Sequence, residues 1–293
     1  MSRFVPVRLG AALVVLTACL TGVNAAAAPS VAADLPTPYE FVSELDLECF
    51  ETDPYRPDFP GPLLVQHLNP VLQDLPRDIL EIGEREQLCT PVAKNDKYPP
   101  DHVLQFVAYV DLACYRVHGH AVDFRLTLMH LNPQLADGRL YDTAMYEPEH
   151  LCLPVVKNDK YPPEHVLRLI SYLDLLCYRE EPTVLDRELL LTQLNPELRE
   201  VRPVNVGVRE GVQLCVPIRK EDQQIPDDVL QILQWVDLEK YVITPHEIGF
   251  ELALELRHLN PLYADLPAER AHLRLGTHLM LPVAKNRAIP PRG

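Results

Sequence analysis

The chain of 293 residues, 47% hydrophobic and 24% charged, has the balance of a protein that buries a core rather than one that stays disordered. Its 29 prolines against 11 glycines exclude collagen-like and Gly/Ser-linker chains and predict stiff turns in place of flexible ones. With 27 basic and 42 acidic residues the net charge is −15, and a surface this acidic repels phosphate backbones and anionic lipid, so nucleic acid is not an expected partner.

At the N-terminus, Arg3 and Arg8 precede the apolar run Leu9 to Leu20, and small residues follow in Ala25 to Ala28. That order is the pattern of a secretory signal peptide over residues 1–28, and it predicts a secreted, extracellular mature chain. Without those residues 25 basic residues face 42 acidic ones, a net charge of −17. No later segment approaches about 18 uncharged apolar residues, so no transmembrane segment is expected in the mature chain. Leu16-Thr17-Ala18-Cys19 resembles the lipobox of bacterial lipoproteins. The apolar stretch running on to Val23 favours cleavage near Ala25 and free secretion, with a lipoprotein anchored through Cys19 as the alternative.

The rest of the chain repeats itself, and periods of this length mark arrays of structural units. Asp-Leu-x-Cys stands at residues 46–49, 111–114 and 174–177, and at 237–240 it becomes Asp-Leu-Glu-Lys. Leu-Asn-Pro recurs at 68–70, 131–133, 194–196 and 259–261. A third block, Leu-Cys-x-Pro-Val-x-Lys-Asn at 88–95 and 151–158, reappears with changes at 214–221 and 279–286, so that each block returns every 63 to 65 residues. Pro99-Pro100, Pro162-Pro163 and Pro290-Pro291 mark the unit boundaries, giving units at 36–100, 101–163, 164–226 and 227–291. Junctions this short and stiff predict units that pack on their neighbours.

Within a unit, the lead segment reads either as a helix after the proline pair or as a buried strand; we take it as a helical turn running into a strand that ends near Cys177-Tyr178. Leu126, Leu128 and His130 alternate with Thr127 and Met129, as do Leu63, Val65, His67 and Leu254, Leu256, His258, which predicts a strand with one buried face. Asn69, Asn132, Asn195 and Asn260 then read as caps, with proline at the first position of a short helical turn. The fold expected is mainly β: four tandem β-rich repeats of about 63 residues with short helical turns, packed as a semi-rigid array.

Six cysteines allow fifteen connectivities, but the fourth unit replaces both of its positions together, with Lys240 and Met280. The pairing that leaves no orphan is Cys49 with Cys89, Cys114 with Cys152, and Cys177 with Cys215. Loops of about 40 residues give roughly 4 kcal/mol each in the chain-entropy model, and a unit this small has a marginal core without them. A zinc site is disfavoured, because CxxC spacing is absent and export favours oxidation. The fourth unit, lacking its bridge, is expected to depend on docking against the third.

Cys-Tyr-Arg near the start of a unit (114–116, 177–179) together with Leu-Cys-x-Pro-Val-x-Lys-Asn near its end resembles an uncharacterised disulfide-containing tandem repeat domain of secreted bacterial proteins. The likeness covers essentially the whole mature chain. It implies export and a tandem arrangement and assigns no activity, so it carries over no functional residue.

The search for chemistry is mostly one of exclusion. Beyond the signal segment Ser43 and Ser171 are the only serines well inside the chain, with no G-x-S-x-G, which excludes a serine hydrolase. The cysteines are committed to bridges, and neither a P-loop nor a dinucleotide fingerprint is present. His67, His130 and His258 recur, but the third unit has Gln193, which shares a hydrogen bond and not a proton or metal; they read as structural. His118-Gly119-His120 with Asp123 could face a metal, but it occurs once and at a turn, so it reads as a surface loop. Lys94, Lys157, Lys220 and Lys285, present in every unit, read as an ion pair or carbonyl contact that fixes the unit. Trp235, matched by Tyr109 and Tyr172, reads as core or unit-to-unit contact rather than a sugar platform. No cofactor is expected. The function expected is that of an exported non-enzymatic binding or structural module whose partner is an extracellular protein or cell-envelope component. The alternative is an extracellular hydrolase with a carboxylate site between units, which should break the repeat at a few clustered polar positions.

Overall fold

The computed structural model of the chain describes residues 35–135, 137–220 and 223–293; residues 1–28, read from the sequence as a signal peptide, and Cys19 among them lie outside the described residues. Each proline junction does what its chemistry favours, fixing an extended φ and then opening a helix. Helices α2 (Asp101–Val107), α3 (Glu164–Ile170) and α4 (Asp227–Leu233) start directly after Pro100, Pro163 and Pro226. The first, α1 (Pro38–Ser43), is started by Thr37 in a capping box with Glu40. The lead segment is therefore helix first and strand second, and each helix buries one face, such as Val103, Phe106 and Val107 of α2.

Ten strands follow these helices: β1 (Leu47–Tyr55), β2 (Leu63–His67), β3 (Asp78–Lys94), β4 (Leu112–His118), β5 (Phe124–His130), β6 (Tyr141–Lys157), β7 (Asp174–Gln193), β8 (Val204–Lys220), β9 (Leu238–His258) and β10 (Glu269–Lys285). All belong to one antiparallel sheet. In β7 and β9 the segments equivalent to β1 and β2, or to β4 and β5, run together as one bent strand. The Leu-Asn-Pro prolines open short 3-10 turns at 70–72, 196–198 and 261–263, capped by Asn69, Asn195 and Asn260, and Asn132 accepts the same bond from Gln134 N at 3.0 Å. After the Pro-Val-x-Lys strand, Asn95, Asn158 and Asn286 turn the chain with φ near +50°, a conformation that asparagine tolerates better than most residues. That requirement accounts for the Lys-Asn pair.

The pairings close on themselves. β1 pairs with β3, β3 with β4, β4 with β6, β6 with β7, β7 with β8, β8 with β9, β9 with β10, and β10 with β1. Eight strands thus form a closed antiparallel barrel, which leaves no open edge in that circuit. The sequence predicts an array with two ends; the structure instead joins the last strand to the first, with Leu47 opposite Met280. The register recurs at the positions of the sequence blocks: Cys49 faces Cys89, Cys114 faces Cys152, Cys177 faces Cys215, and Lys240 faces Met280. The three facing cysteine pairs are disulfides.

Alternation along these strands makes two cores. Leu47, Leu112, Leu175 and Leu238 join the six cysteines and the buried faces of all four helices in one cluster, which is the lumen plugged by helices. The opposite face carries Phe50, Tyr115, Tyr178 and Tyr241. It is covered by the shorter segments, each of which reaches across to a distant strand: His67 of β2 pairs with Ile218, His130 of β5 with Val283, Gln193 of β7 with Val92, and His258 of β9 with Val155. Each such segment therefore ties strands on opposite sides of the barrel. Trp235, Tyr109 and Tyr172 pack against the lumenal cluster, as core rather than as an exposed platform. Among the described residues no helix is long and apolar enough to cross a membrane.

Candidate functional site

The repeated polar residues meet in four buried triads. Lys94, Lys157, Lys220 and Lys285 form ion pairs with Asp46, Asp111, Asp174 and Asp237. Each aspartate also accepts from an asparagine of the next unit: Asn132 Nδ2 to Asp46 at 2.9 Å, Asn195 to Asp111 at 2.6 Å, and Asn260 to Asp174 at 2.8 Å. The circle closes with Asn69 on Asp237 at 2.6 Å. Burial pushes each aspartate up and each lysine down, and the mutual attraction offsets part of that cost. All twelve residues are buried and hold the ring together, and Asp111, Lys157 and Asn195 also line a cavity of about 230 Å³.

The repeated histidines are structural in the same sense. His67 Nε2 lies 2.9 Å from the Tyr178 hydroxyl, His258 3.3 Å from that of Tyr115, and His130 3.4 Å from that of Tyr241. The third unit has Gln193, and the matching tyrosine position in the first unit is Phe50, so the histidine and its partner are lost together. Gln193 instead donates to Glu48 at 2.6 Å and accepts from Thr90. His120 Nδ1 meets Asp78 at 2.6 Å, and among the described residues no group of histidine, cysteine and carboxylate side chains suits a metal.

Burial holds His67 down to about 4, with Lys285 adding to the depression and Asp78 opposing it. An unfolded histidine titrates near 6.5, so the unfolded state binds the extra proton between these values and stability falls as pH drops through that window. His67→Gln, which keeps a hydrogen bond to Tyr178, should remove this dependence. Denaturant titrations of the two proteins should converge above pH 7, with the wild type losing about 3 kcal/mol relative to the variant by pH 4. Parallel pH profiles would contradict the assignment.

Lys240 fills the cysteine position of the fourth unit and points along the lumen. Its ammonium donates to Gln87 and, at 3.2 Å, to Gln213, which sit on β3 and β8 on opposite sides of the circuit. His150 and His278 complete this layer, and His150 Nε2 meets Glu86 at 2.9 Å. Burial brings Lys240 down to about 7 against the pull of Glu149 and Glu86, and His278 to about 3 with Lys240 and His150 adding to the effect.

Polar residues that depart from the repeat meet an open cleft between β5, β6, β7 and β9. His130, Tyr141, Thr183 and Tyr241 line a cavity of about 300 Å³ together with Leu135, Leu185, Arg139 and Arg187. Beneath its floor, Tyr141 and Thr183 both donate to Glu239, and Glu180 lies beside it with neither of its own carboxyl oxygens hydrogen-bonded among the described residues. A Cβ on Gly211 would stand 2.5 Å from Glu239 Oε1 and 2.9 Å from Glu180 Oε1, so glycine is needed where the two carboxyls converge. Neither has an ion-pair partner among the described residues. Burial, then the neighbouring carboxyl, pushes Glu180 well above the usual carboxylate value, and burial raises Glu239 as well, so the site favours the protonated form.

The corresponding junction on the other side of the barrel shows what this cleft lacks. There Phe59 stacks edge-on to Tyr115 and Tyr263 with centroids at 5.3 and 4.9 Å, filling the space, and the carboxylate Glu269 is neutralised by Arg85 at 2.5 Å. At the cleft Leu135 stands where Tyr263 does, and Val184 turns outward, 81% exposed. Sequence reasoning missed Glu180, Glu239, Tyr141 and Thr183. The repeat marks them only weakly, since the position of Glu239 is Ala113 and Leu176 in two units but Glu48 in the first, and that of Glu180 is Thr52, Val117 and Ile243. No protein-family model, curated protein or solved structure matches the chain.

Proposed function

We propose that this chain is an exported, non-enzymatic protein of four β-rich repeat units, three of them disulfide-stapled, that acts outside the cell as a binding or structural module for an extracellular protein or a cell-envelope component. The disulfides support an oxidising compartment. The observation that carries the reading is the sealing of the carboxyl pair: Glu180 and Glu239 are 1% and 0% exposed, beneath a floor of tyrosine, threonine and histidine. A general acid must come within hydrogen-bond reach of its substrate, and these cannot. What the cleft presents outward is hydroxyls, an imidazole, two arginines and the carboxylates of Asp137 and Asp142, groups suited to holding a polar ligand.

The second reading, an extracellular hydrolase, draws on the same residues, because they cluster between units. Glu180→Gln separates the two. A carboxyl whose pKa is raised by folding costs stability as pH rises above its unfolded value, so the variant should gain on the wild type from about pH 5 upward in thermal melts. Polysaccharide and peptide substrates incubated with the wild type should show no release of reducing ends or free amines. Turnover by the wild type that Glu180→Gln abolishes while remaining folded would establish the hydrolase and overturn the binding reading.

A further inference from the structure

The bridges are not three isolated staples. Cys89 Sγ lies 3.7 Å from Cys114 Sγ, and Cys152 Sγ lies 3.8 Å from Cys177 Sγ, each pair belonging to different disulfides. Alternating with the covalent bonds, these contacts string the sulfurs into one row, in the order Cys49, Cys89, Cys114, Cys152, Cys177, Cys215. All six are fully buried in the lumenal cluster, held by strands paired on both sides, so the row stays in register. Disulfide exchange requires a thiolate in contact with a disulfide sulfur, and here each inner sulfur touches the next bridge.

We propose that the six lumenal cysteines form a single thiol–disulfide exchange site, along which a free thiol introduced at one end migrates to the other. If Cys89 loses its partner, its thiolate attacks Cys114 Sγ; the Cys89–Cys114 bond forms, the Cys114–Cys152 bond breaks, and Cys152 leaves as thiolate. Cys152 then attacks Cys177 Sγ and releases Cys215. One thiol proton is given up and one regained, two disulfides exist throughout, and nothing is oxidised or reduced. From the other end the same contacts run in reverse, from Cys177 through Cys114 to Cys49.

The geometry imposes a parity that random scrambling lacks. In Cys49→Ser the free thiol can occupy only Cys89, Cys152 or Cys215, and in Cys215→Ser only Cys177, Cys114 or Cys49. Each variant, oxidised and folded, is held at pH 8, trapped by alkylation under acid quench and mapped as non-reduced peptides. Alkylation should spread from the first site to all three of its class, within about tenfold of one another, a ratio equivalent to about 1.4 kcal/mol between isomers. Non-reduced peptides should join Cys89 to Cys114 and Cys152 to Cys177. Alkylation confined to Cys89, or to Cys177 in the mirror variant, would overturn the proposal. So would alkylation of both parity classes in one variant, since that pattern belongs to exchange through unfolded chains. Because the two variants open opposite ends of the row, one that fails to fold leaves the other as a full test.

Discussion

Lys220→Met is expected to destabilise the fold by about 3–5 kcal/mol, the usual cost of stranding one member of a buried ion pair. Lys220 donates to Asp174 at 2.8 Å, and both are essentially inaccessible. Methionine matches the length of the lysine stem but leaves Asp174 with only Asn260 as a polar side-chain partner. Because Asn260 belongs to the following unit, the damage should spread past the mutated strand. A urea titration followed by the fluorescence of Trp235, the single tryptophan, which packs on the lumenal cluster, should report the same loss as circular dichroism of the whole sheet. Adding Asp174→Leu should recover much of the loss, because a buried ion pair replaced by apolar groups is often neutral. The double variant should still fall about 1–3 kcal/mol short, the cost of leaving the Asn260 amide without its acceptor. A single variant within about 0.5 kcal/mol of wild type, the range of an ordinary surface change, would show that the triads do not hold the ring.

The contrast between what the residues declared and what they concealed follows from the range of each interaction. The disulfide partners were legible because the fourth unit loses both positions together, at Lys240 and Met280, and the pairing is local to a unit. The Asn caps and helix starts were legible because a cap is set by residues two or three positions away. The Asp–Lys pairs were visible only as recurrence: Asp46 and Lys94 stand 48 residues apart, and nothing in a single unit says they touch. That Asn132 completes the Asp46 site could not be read at all, because it depends on how one unit sits on the next. Ring closure lay further out still, since the pairing of Leu47 with Met280 spans nearly the whole described chain and has no local signature. The cleft was hidden for the opposite reason. Glu180 and Glu239 are ordinary acids among 42, and become unusual only when the barrel brings them under one floor.

Closure also changes what fragments of the chain should do. An open array in which the fourth unit merely docks on the third would let residues 164–293 fold together. In the closed barrel that half loses β6 beside β7 and β1 beside β10, exposing two strand edges. It also strips Asp237 of Asn69 and β8 of β2. Residues 164–293 should therefore be unfolded or aggregated, and residues 101–293 should fare no better for having a third unit, because β10 still lacks β1. A circular permutant that keeps every strand should behave in the opposite way. Tyr39 N donates to Pro291 O at 3.0 Å, and the Arg292 guanidinium stacks 3.8 Å over the Tyr39 ring, so a short linker can join the C-terminal residues to residue 36 without moving either. New ends between Tyr98 and Pro99 fall in the irregular segment after the turn at Asn95-Asp96, where Tyr98 is exposed, and leave Pro100 in place to accept from Val103 and Leu104, and such sites tolerate opening. This permutant should unfold in one cooperative transition within about 2 kcal/mol of the parent, the range of a local perturbation. The same chain without residues 36–98 should show no transition at all. If residues 164–293 instead melt cooperatively at the temperature of the full chain, stability resides in neighbouring units rather than in the closed circuit, and the barrel is a consequence of folding rather than its condition.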